Sequence, residues 1–249
     1  MKFIKSTAAV SRWLDRRRAA LIPARRDVVN RYDRHTTEIG GKLAGMDAAL
    51  AERLQRETAN LHPTIGRHLQ RTGIYASILA RALGWPRERI EMVSVAAPLH
   101  DVGKLGVRQD IINKPGQLTD EEKAEMRRHC LIGHKMLSWG EHPIMKMAAS
   151  IALSHHERWD GSGYPFKLRG PSIPVESRLV SVIDTYDAMR MRRSYKPAMS
   201  HDEAIDKLLN DDDRAAGQFD PQMLEALGEI HPRLALAFSA LPDDLPDDA

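Results

Sequence analysis

Pro143-Ile144-Met145-Lys146-Met147-Ala148-Ala149-Ser150-Ile151-Ala152-Leu153-Ser154-His155-His156-Glu157-Arg158-Trp159-Asp160-Gly161-Ser162-Gly163-Tyr164-Pro165 is the stretch on which the reading of this chain turns. Proline is tolerated in the first turn of a helix, where its missing N–H has no partner in any case. Ile144, Met147, Ala148, Ile151 and Ala152 then recur with the helical period. His155 continues that stripe, so the rule that buries the aliphatics also turns an imidazole inward. His156 projects about 100° further round, which lets two adjacent rings reach one cluster. Neutral imidazole is a common ligand for Zn, Fe and Ni. Taken alone the pair equally fits a solvated helix end before the loop 157–172, and the rest of the chain decides between the two.

The same pattern recurs on both sides. Residues 64–83 read as a helix through Ile65, Leu69, Ile78, Leu79 and Leu83, stopped by Gly84 and Pro86. His68, Thr72, Tyr75 and Leu79 share one of its stripes. A second helix runs from Arg87 through Ile90, Val93, Ala96 and Ala97 to Leu99, with Pro98 distorting its last turn. His100-Asp101, Gly103 and Lys104 follow at once. A buried His-Asp pair is costly unless it is paired or bound to metal. Residues 105–118 read as a loop with turn chemistry at Lys114-Pro115-Gly116. Thr119 to Glu122 is a capping box opening one helix with Met126, His129, Gly133 and Met136 on a face. Gly133 allows close backbone approach beside His129, and Cys130 reads as a small core residue. Pro174 begins a helix whose inner surface is Leu179, Val180, Ile183, Asp184, Asp187 and Ala188. Two aspartates on an apolar stripe call for a metal or a histidine. Arg190, Arg192, Arg193 and Lys196 come next, a charge run that also suits a solvated helix C-terminus. Ser200 and Glu203 cap a helix through Leu209, residues 211–220 form a polar loop, and Pro221 opens the last helix.

Bulk properties narrow the class. A chain of 249 residues, 42% hydrophobic and 29% charged, is an ordinary globular protein able to bury a sizeable core. One cysteine rules out an internal disulfide framework and fits a reducing, cytoplasmic setting. No apolar run approaches a membrane span, and Arg12 and Asp15 interrupt any signal-peptide core. Residues 1–40 hold ten basic and four acidic groups, giving +6, and residues 201–249 hold three and thirteen, giving −10. With +3 overall, the middle carries 3 − 6 + 10 = +7, which suits an anionic substrate. The acidic end argues against broad nucleic-acid binding. The N-terminus, with Arg16-Arg17-Arg18 and Arg25-Arg26 among Val10, Leu14, Leu21 and Ile22, reads as a basic amphipathic helix packing on the domain, on a second copy in a homodimer, or on an anionic surface. Leu43, Met46, Leu50 and Leu54 mark a short connector helix.

His68, His100, Asp101, His129, His155, His156 and Asp184 thus all fall on inward faces or helix ends. Seven nitrogen and oxygen ligands without a thiolate point to two divalent metals of the Fe/Mn/Zn group.

On these motifs the sequence resembles the HD-GYP branch of the HD-domain metal-dependent phosphohydrolases, over roughly residues 60–232. The matching pieces are His68, His100-Asp101-Val102-Gly103-Lys104, Lys114-Pro115-Gly116, His129 with Gly133, His155-His156-Glu157, Asp160-Gly161-Ser162-Gly163-Tyr164-Pro165, Asp184 with Asp187-Ala188, and Gln218-Phe219-Asp220-Pro221. The resemblance implies an all-α HD-domain bundle, and the chain then divides into a short helical N-terminal extension over 1–60, a catalytic domain over 61–235 and an acidic tail over 236–249. It implies hydrolysis of cyclic di-GMP to pGpG, GMP or both. His68, His100, Asp101 and Asp184 would hold one metal, and Asp101 would bridge to a second held by His129, His155 and His156, with Fe or Mn the expected ions. Two such cations would activate water and clamp phosphoryl oxygens. Lys104 would stabilise transition-state charge, Arg193 and Lys196 would contact substrate phosphate, and Tyr164 would line the site. A sensor or diguanylate cyclase is the expected protein partner.

Three departures qualify the resemblance. Thr64 stands where some members carry a glutamate for a third metal. Arg193-Ser194-Tyr195 replaces Arg-Pro-Tyr. The roughly 60 N-terminal residues are too few for the receiver domain many members carry. The rival readings are a phosphohydrolase of another cyclic dinucleotide or nucleotide, and a non-catalytic module that binds nucleotide or a partner.

Overall fold

In the computed structural model, residues 46–61, 65–191, 198–210 and 217–242 are described. Their helices are α1 (Met46–Ala59), α2 (Ile65–Ala82), α3 (Arg87–Ala96), the short α4 (Gln109–Ile112), α5 (Asp120–Arg127), α6 (His129–Leu137), α7 (Pro143–Ser154), α8 (Val175–Arg190), α9 (His201–Leu209) and α10 (Pro221–Ala240). Three 3-10 turns intervene, at Ala97–Leu99, Val102–Gly106 and Gly170–Ser172. No strand occurs among the described residues, so the fold is all-α.

Local chemistry sets the ends. Thr119 Oγ1 accepts from the Glu122 N–H while Glu122 reaches back to the Thr119 N–H. Ser200 and Glu203 repeat that reciprocal cap on α9, and Asp220 caps α10 through the Gln222 N–H at 2.9 Å. Such caps satisfy donors that have no intrahelical partner. Pro98 converts the end of α3 into a 3-10 turn, which delivers His100 and Asp101 at the point where the helix gives out.

α2 packs against α3, α8 and α10, and α6 packs against α7 and the turn Val102–Gly106. α8 lies between α2, α7, α9 and α10. Val182, Tyr186 and Met189 are therefore buried along with the expected Leu179, Val180 and Ile183. A helix enclosed on most sides has no single stripe to read, which is why the sequence pattern found only part of its inner surface.

Four expectations need correction. Residues 105–118 are not simply loop, because the second 3-10 turn runs on to Gly106 and α4 lies within them. The helix after Thr119 is two helices, broken at Arg128, where the His129 ring takes the Met126 carbonyl. α1 is not a detached connector: Ala51 and Leu54 belong to the main core. The last helix crosses the boundary drawn at 235, continuing to Ala240 with Leu241 buried behind it. The basic stretch 1–40, the loop 211–216, the tail from 243, Thr64, Arg193 and Lys196 lie outside the described residues.

Candidate metal centre

Three of the inward histidines are aimed by their own helical segments. His100 Nδ1 lies 2.9 Å from the Ala97 carbonyl, His129 Nδ1 2.6 Å from that of Met126, and His155 Nδ1 3.0 Å from that of Ile151. A carbonyl only accepts, so each Nδ1 carries the proton and each Nε2 presents a bare lone pair. His68 reaches the same state through a side chain, its Nδ1–H donating to Asp187 Oδ2 at 2.8 Å.

The bare nitrogens converge. His68 Nε2 lies 3.4 Å from His100 Nε2, and His129 Nε2 lies 3.5 Å from His155 Nε2. Asp101 sits between the pairs, with Oδ2 3.4 Å from His100 Nε2 and Oδ1 3.4 Å and 3.8 Å from His129 and His155 Nε2. Asp184 Oδ1 closes the far side, 3.5 Å from His68 Nε2 and 3.7 Å from His100 Nε2. His156 joins Asp101, His129 and His155 in one group of converging donors, while His68, His100 and Asp101 form another. Asp101 Oδ1 is buried without a hydrogen-bond donor among the described residues. Lone pairs and carboxylate oxygens facing one another in a buried site are repulsive and desolvated, and cations at their centre remove both costs. The residues present therefore fit metal.

The electrostatics agree. Burial drives His155 well below the ordinary imidazole range and His156 down to about 3, each reinforced by a neighbouring ring. Burial lowers His129 too. For His100 burial acts downward, but the Asp101 and Asp184 carboxylates outweigh it and raise the pKa. Burial pushes Asp101 up, yet Lys104 and His100 hold it well below the carboxylate range. Neutral His129, His155 and His156 beside an ionised Asp101 are the protonation states that metal ligation needs, and His100 would release its more tightly held proton on binding.

Close backbone approach holds the parts together. A Cβ on Gly103 would lie 1.9 Å from the His129 carbonyl oxygen, so the turn carrying His100 and Asp101 meets α6 only through glycine. Gly133, the glycine expected to permit this, is less tightly placed, its nearest contact being Gly103 N at 3.1 Å. A Cβ on Gly163 would fall 2.4 Å from Arg158 N, so the signature loop folds directly over the histidine pair. Glu157 fastens that loop by accepting from Phe166 N–H at 2.7 Å and Leu168 N–H at 3.0 Å.

A cleft of about 570 Å³, including its open mouth, leads to His155, His156 and Asp184. Tyr164 lines it and stacks on His156, ring centroids 4.8 Å apart and 28° between planes. Arg127 covers Tyr164 at 5.0 Å from the centroid, and Arg158, Ser181, Thr185 and Gln218 complete the walls. Lys104 is ion-paired with Asp101 beside the cluster. Burial raises the Cys130 thiol, consistent with a packing role. Sequence reasoning passed over Arg71, Arg127 and Arg158. Arg71 left a trace: it is a guanidinium three residues after His68 on a helix that is otherwise inward-facing there. Arg127 left little, since it sits on the exposed side of α5.

Comparisons with known proteins bear on the fold and the family. A family model described as HD domain matches residues 53–223. The cyclic di-GMP phosphodiesterase response regulator RpfG of Xanthomonas campestris pv. campestris is 42% identical over 159 residues, 64% of this chain and 41% of that protein. A 3'3'-cGAMP-specific phosphodiesterase 2 of Vibrio cholerae is 36% identical over 178 residues, 72% of this chain and 34% of that protein. The solved structure of Bd1817, an HDG"Y"P protein from Bdellovibrio bacteriovorus, shares the fold with a TM-score of 0.55 at 18% identity, over 82% of this chain and 70% of that one. The chain spans less than half the length of these curated relatives. It belongs to the HD-domain family, and within it to the HD-GYP branch.

Proposed function

We propose that this chain is a metal-dependent phosphodiesterase that hydrolyses cyclic di-GMP to pGpG, GMP or both. The observation that carries the reading is the convergence of four bare histidine Nε2 atoms on the donor-less Oδ1 of buried Asp101 and its neighbour oxygens. His68, His100, Asp101 and Asp184 would hold one divalent ion and Asp101, His129, His155 and His156 a second, with Fe or Mn the ions expected. Bound there, two such ions supply an activated water and electrophilic clamping of phosphoryl oxygens.

The protein's own groups do the rest. Lys104, already beside Asp101, brings a cation to the oxygens on which charge develops. Arg127 and Arg158 give the cleft two guanidinium groups for a second phosphate, and Arg193 and Lys196 are proposed to extend that cationic surface. Tyr164 and His156 form a flat wall that orients a base or ribose. The single cysteine and a nucleotide substrate suit action in the cytoplasm, with a sensor or cyclase as partner and the N-terminal residues as a dimer surface. No described helix is long and apolar enough to cross a membrane.

A second reading, hydrolysis of a mixed cyclic dinucleotide, is favoured by the named specificity of the 36% identical Vibrio relative. Product analysis with cyclic di-GMP, 3',3'-cGAMP and cyclic di-AMP, each with Mn²⁺ or anaerobic Fe²⁺, tests both. Preferred cleavage of cyclic di-GMP supports the first reading. Preferred cleavage of the mixed dinucleotide replaces it with the second, and no cleavage of any overturns both.

A further inference from the structure

His68 is held unlike His100, His129 and His155. Their Nδ1–H groups donate to carbonyls three or four residues back, whereas His68 donates to Asp187, 119 positions away. Asp187 is fully buried, and three other bonds fix its carboxylate: Arg71 Nε at 2.8 Å, Arg71 Nη2 at 2.9 Å and Tyr75 OH at 3.0 Å. Arg71, fully buried as well, donates through Nη1 to the Leu241 carbonyl at 2.8 Å. Its guanidinium lies 4.7 Å from the centroid of Phe238, which Arg190 also approaches, at 4.4 Å. Phe238 and Leu241 stand at the end of α10, past residue 223 where the family match stops.

We propose that Arg71 is a positioning residue for the His68 half of the metal centre, and that the end of α10 is a working part of that centre through it. This rests on the metal-dependent reading above. A carboxylate behind a ligating imidazole fixes the ring and raises its basicity, and it can do so only if the carboxylate is itself fixed. The planar fork of Arg71 grips both oxygens of Asp187 at once. The Leu241 carbonyl and the Phe238 ring fix the plane of that fork. A lysine would supply charge without the fork, leaving Asp187 free to turn and His68 free to follow. Asp184, one helical turn before Asp187 on α8, depends on the same register.

A purely structural role for the Arg71–Asp187 pair would lower stability and leave metal binding alone. The chain, stripped with chelator and titrated with Mn²⁺ by calorimetry, separates the two. Wild type should bind two ions. Arg71→Lys should lose about 10–100-fold in affinity for one of them, the range for loss of a ligand's outer partner, and keep the other unchanged. Excess Mn²⁺ should then restore turnover. Tyr75→Phe, which removes one donor to Asp187 without changing charge, should shift the same ion in the same direction by less, and it decides the matter if Arg71→Lys does not fold. Two unaltered affinities in the folded variant overturn the inference while leaving the metal reading intact. A wild type that binds no Mn²⁺ overturns the metal reading itself.

Discussion

The half of the centre around His129 and His155 and the half around His68 and Asp184 reach similar geometry by different means. In the first, His129 and His155 are each steered by a carbonyl of their own helical segment, and α6 packs closely on α7. In the second, His100 is locally steered, but His68 depends on a chain of contacts through Asp187 and Arg71 to Leu241. The first half needs only two neighbouring helices in place. The second needs α2, α8 and α10 assembled together, so distant substitutions should reach it first.

Substituting the residue the halves share should have the largest effect. Asp101→Ala should reduce hydrolysis of cyclic di-GMP to background and weaken both ions, while the far-ultraviolet circular dichroism stays helical. Turnover at the wild-type rate would remove the bridge from the account. Next in size is the 10–100-fold, one-sided loss of affinity expected for Arg71→Lys, which tests whether the halves are separable.

Substrate contacts should leave both halves alone. Arg127→Ala and Arg193→Ala should each weaken apparent substrate affinity by ~1.5–3 kcal/mol, the range for a charge-assisted hydrogen bond. Metal content should hold steady, and the change should fall on KM rather than kcat. Wild-type kinetics would return either arginine to the solvated surface.

A separate effect, on stability rather than binding, concerns pH. In metal-free protein burial lowers the pKa values of His129, His155 and His156, and the Asp101 and Asp184 carboxylates raise that of His100. Below about pH 6.5 the unfolded chain binds protons that these three buried rings refuse, so stability falls as pH falls. His100 acts the other way only above about pH 6.5, where it takes up its proton before the unfolded chain does, and it adds no slope below. Each excess proton is worth ~1.4 kcal/mol per pH unit. Thermal melts of chelated protein from pH 7 to 5 should show a falling midpoint, and saturating Mn²⁺ should flatten it. A midpoint that rises on acidification would mean that the rings are not buried neutral.

The contrast between halves also explains what the sequence disclosed. Helical periodicity placed His68, His129 and His155 on inward faces because one ring on one stripe is a local property. Pro98 foretold a distorted last turn before His100 for the same reason, and that distortion is a 3-10 turn. The break at Arg128 was not legible, since it depends on where the His129 ring turns. Nor was the tight contact of Gly103 with His129, which joins segments that only the fold brings together. Arg71 and Leu241, 170 positions apart, share no pattern at all. The family resemblance supplied the proposed pairing of ligands, and the structure shows how His68, His100, His129 and His155 are aimed.

The most direct test of the account is a single Mn²⁺ titration in which bound metal per chain and the rate of cyclic di-GMP cleavage are measured on the same samples. The account predicts two ions per chain, with turnover appearing only as the second site fills. Full turnover in chelated protein, or saturation with no more than one ion at full activity, would contradict it.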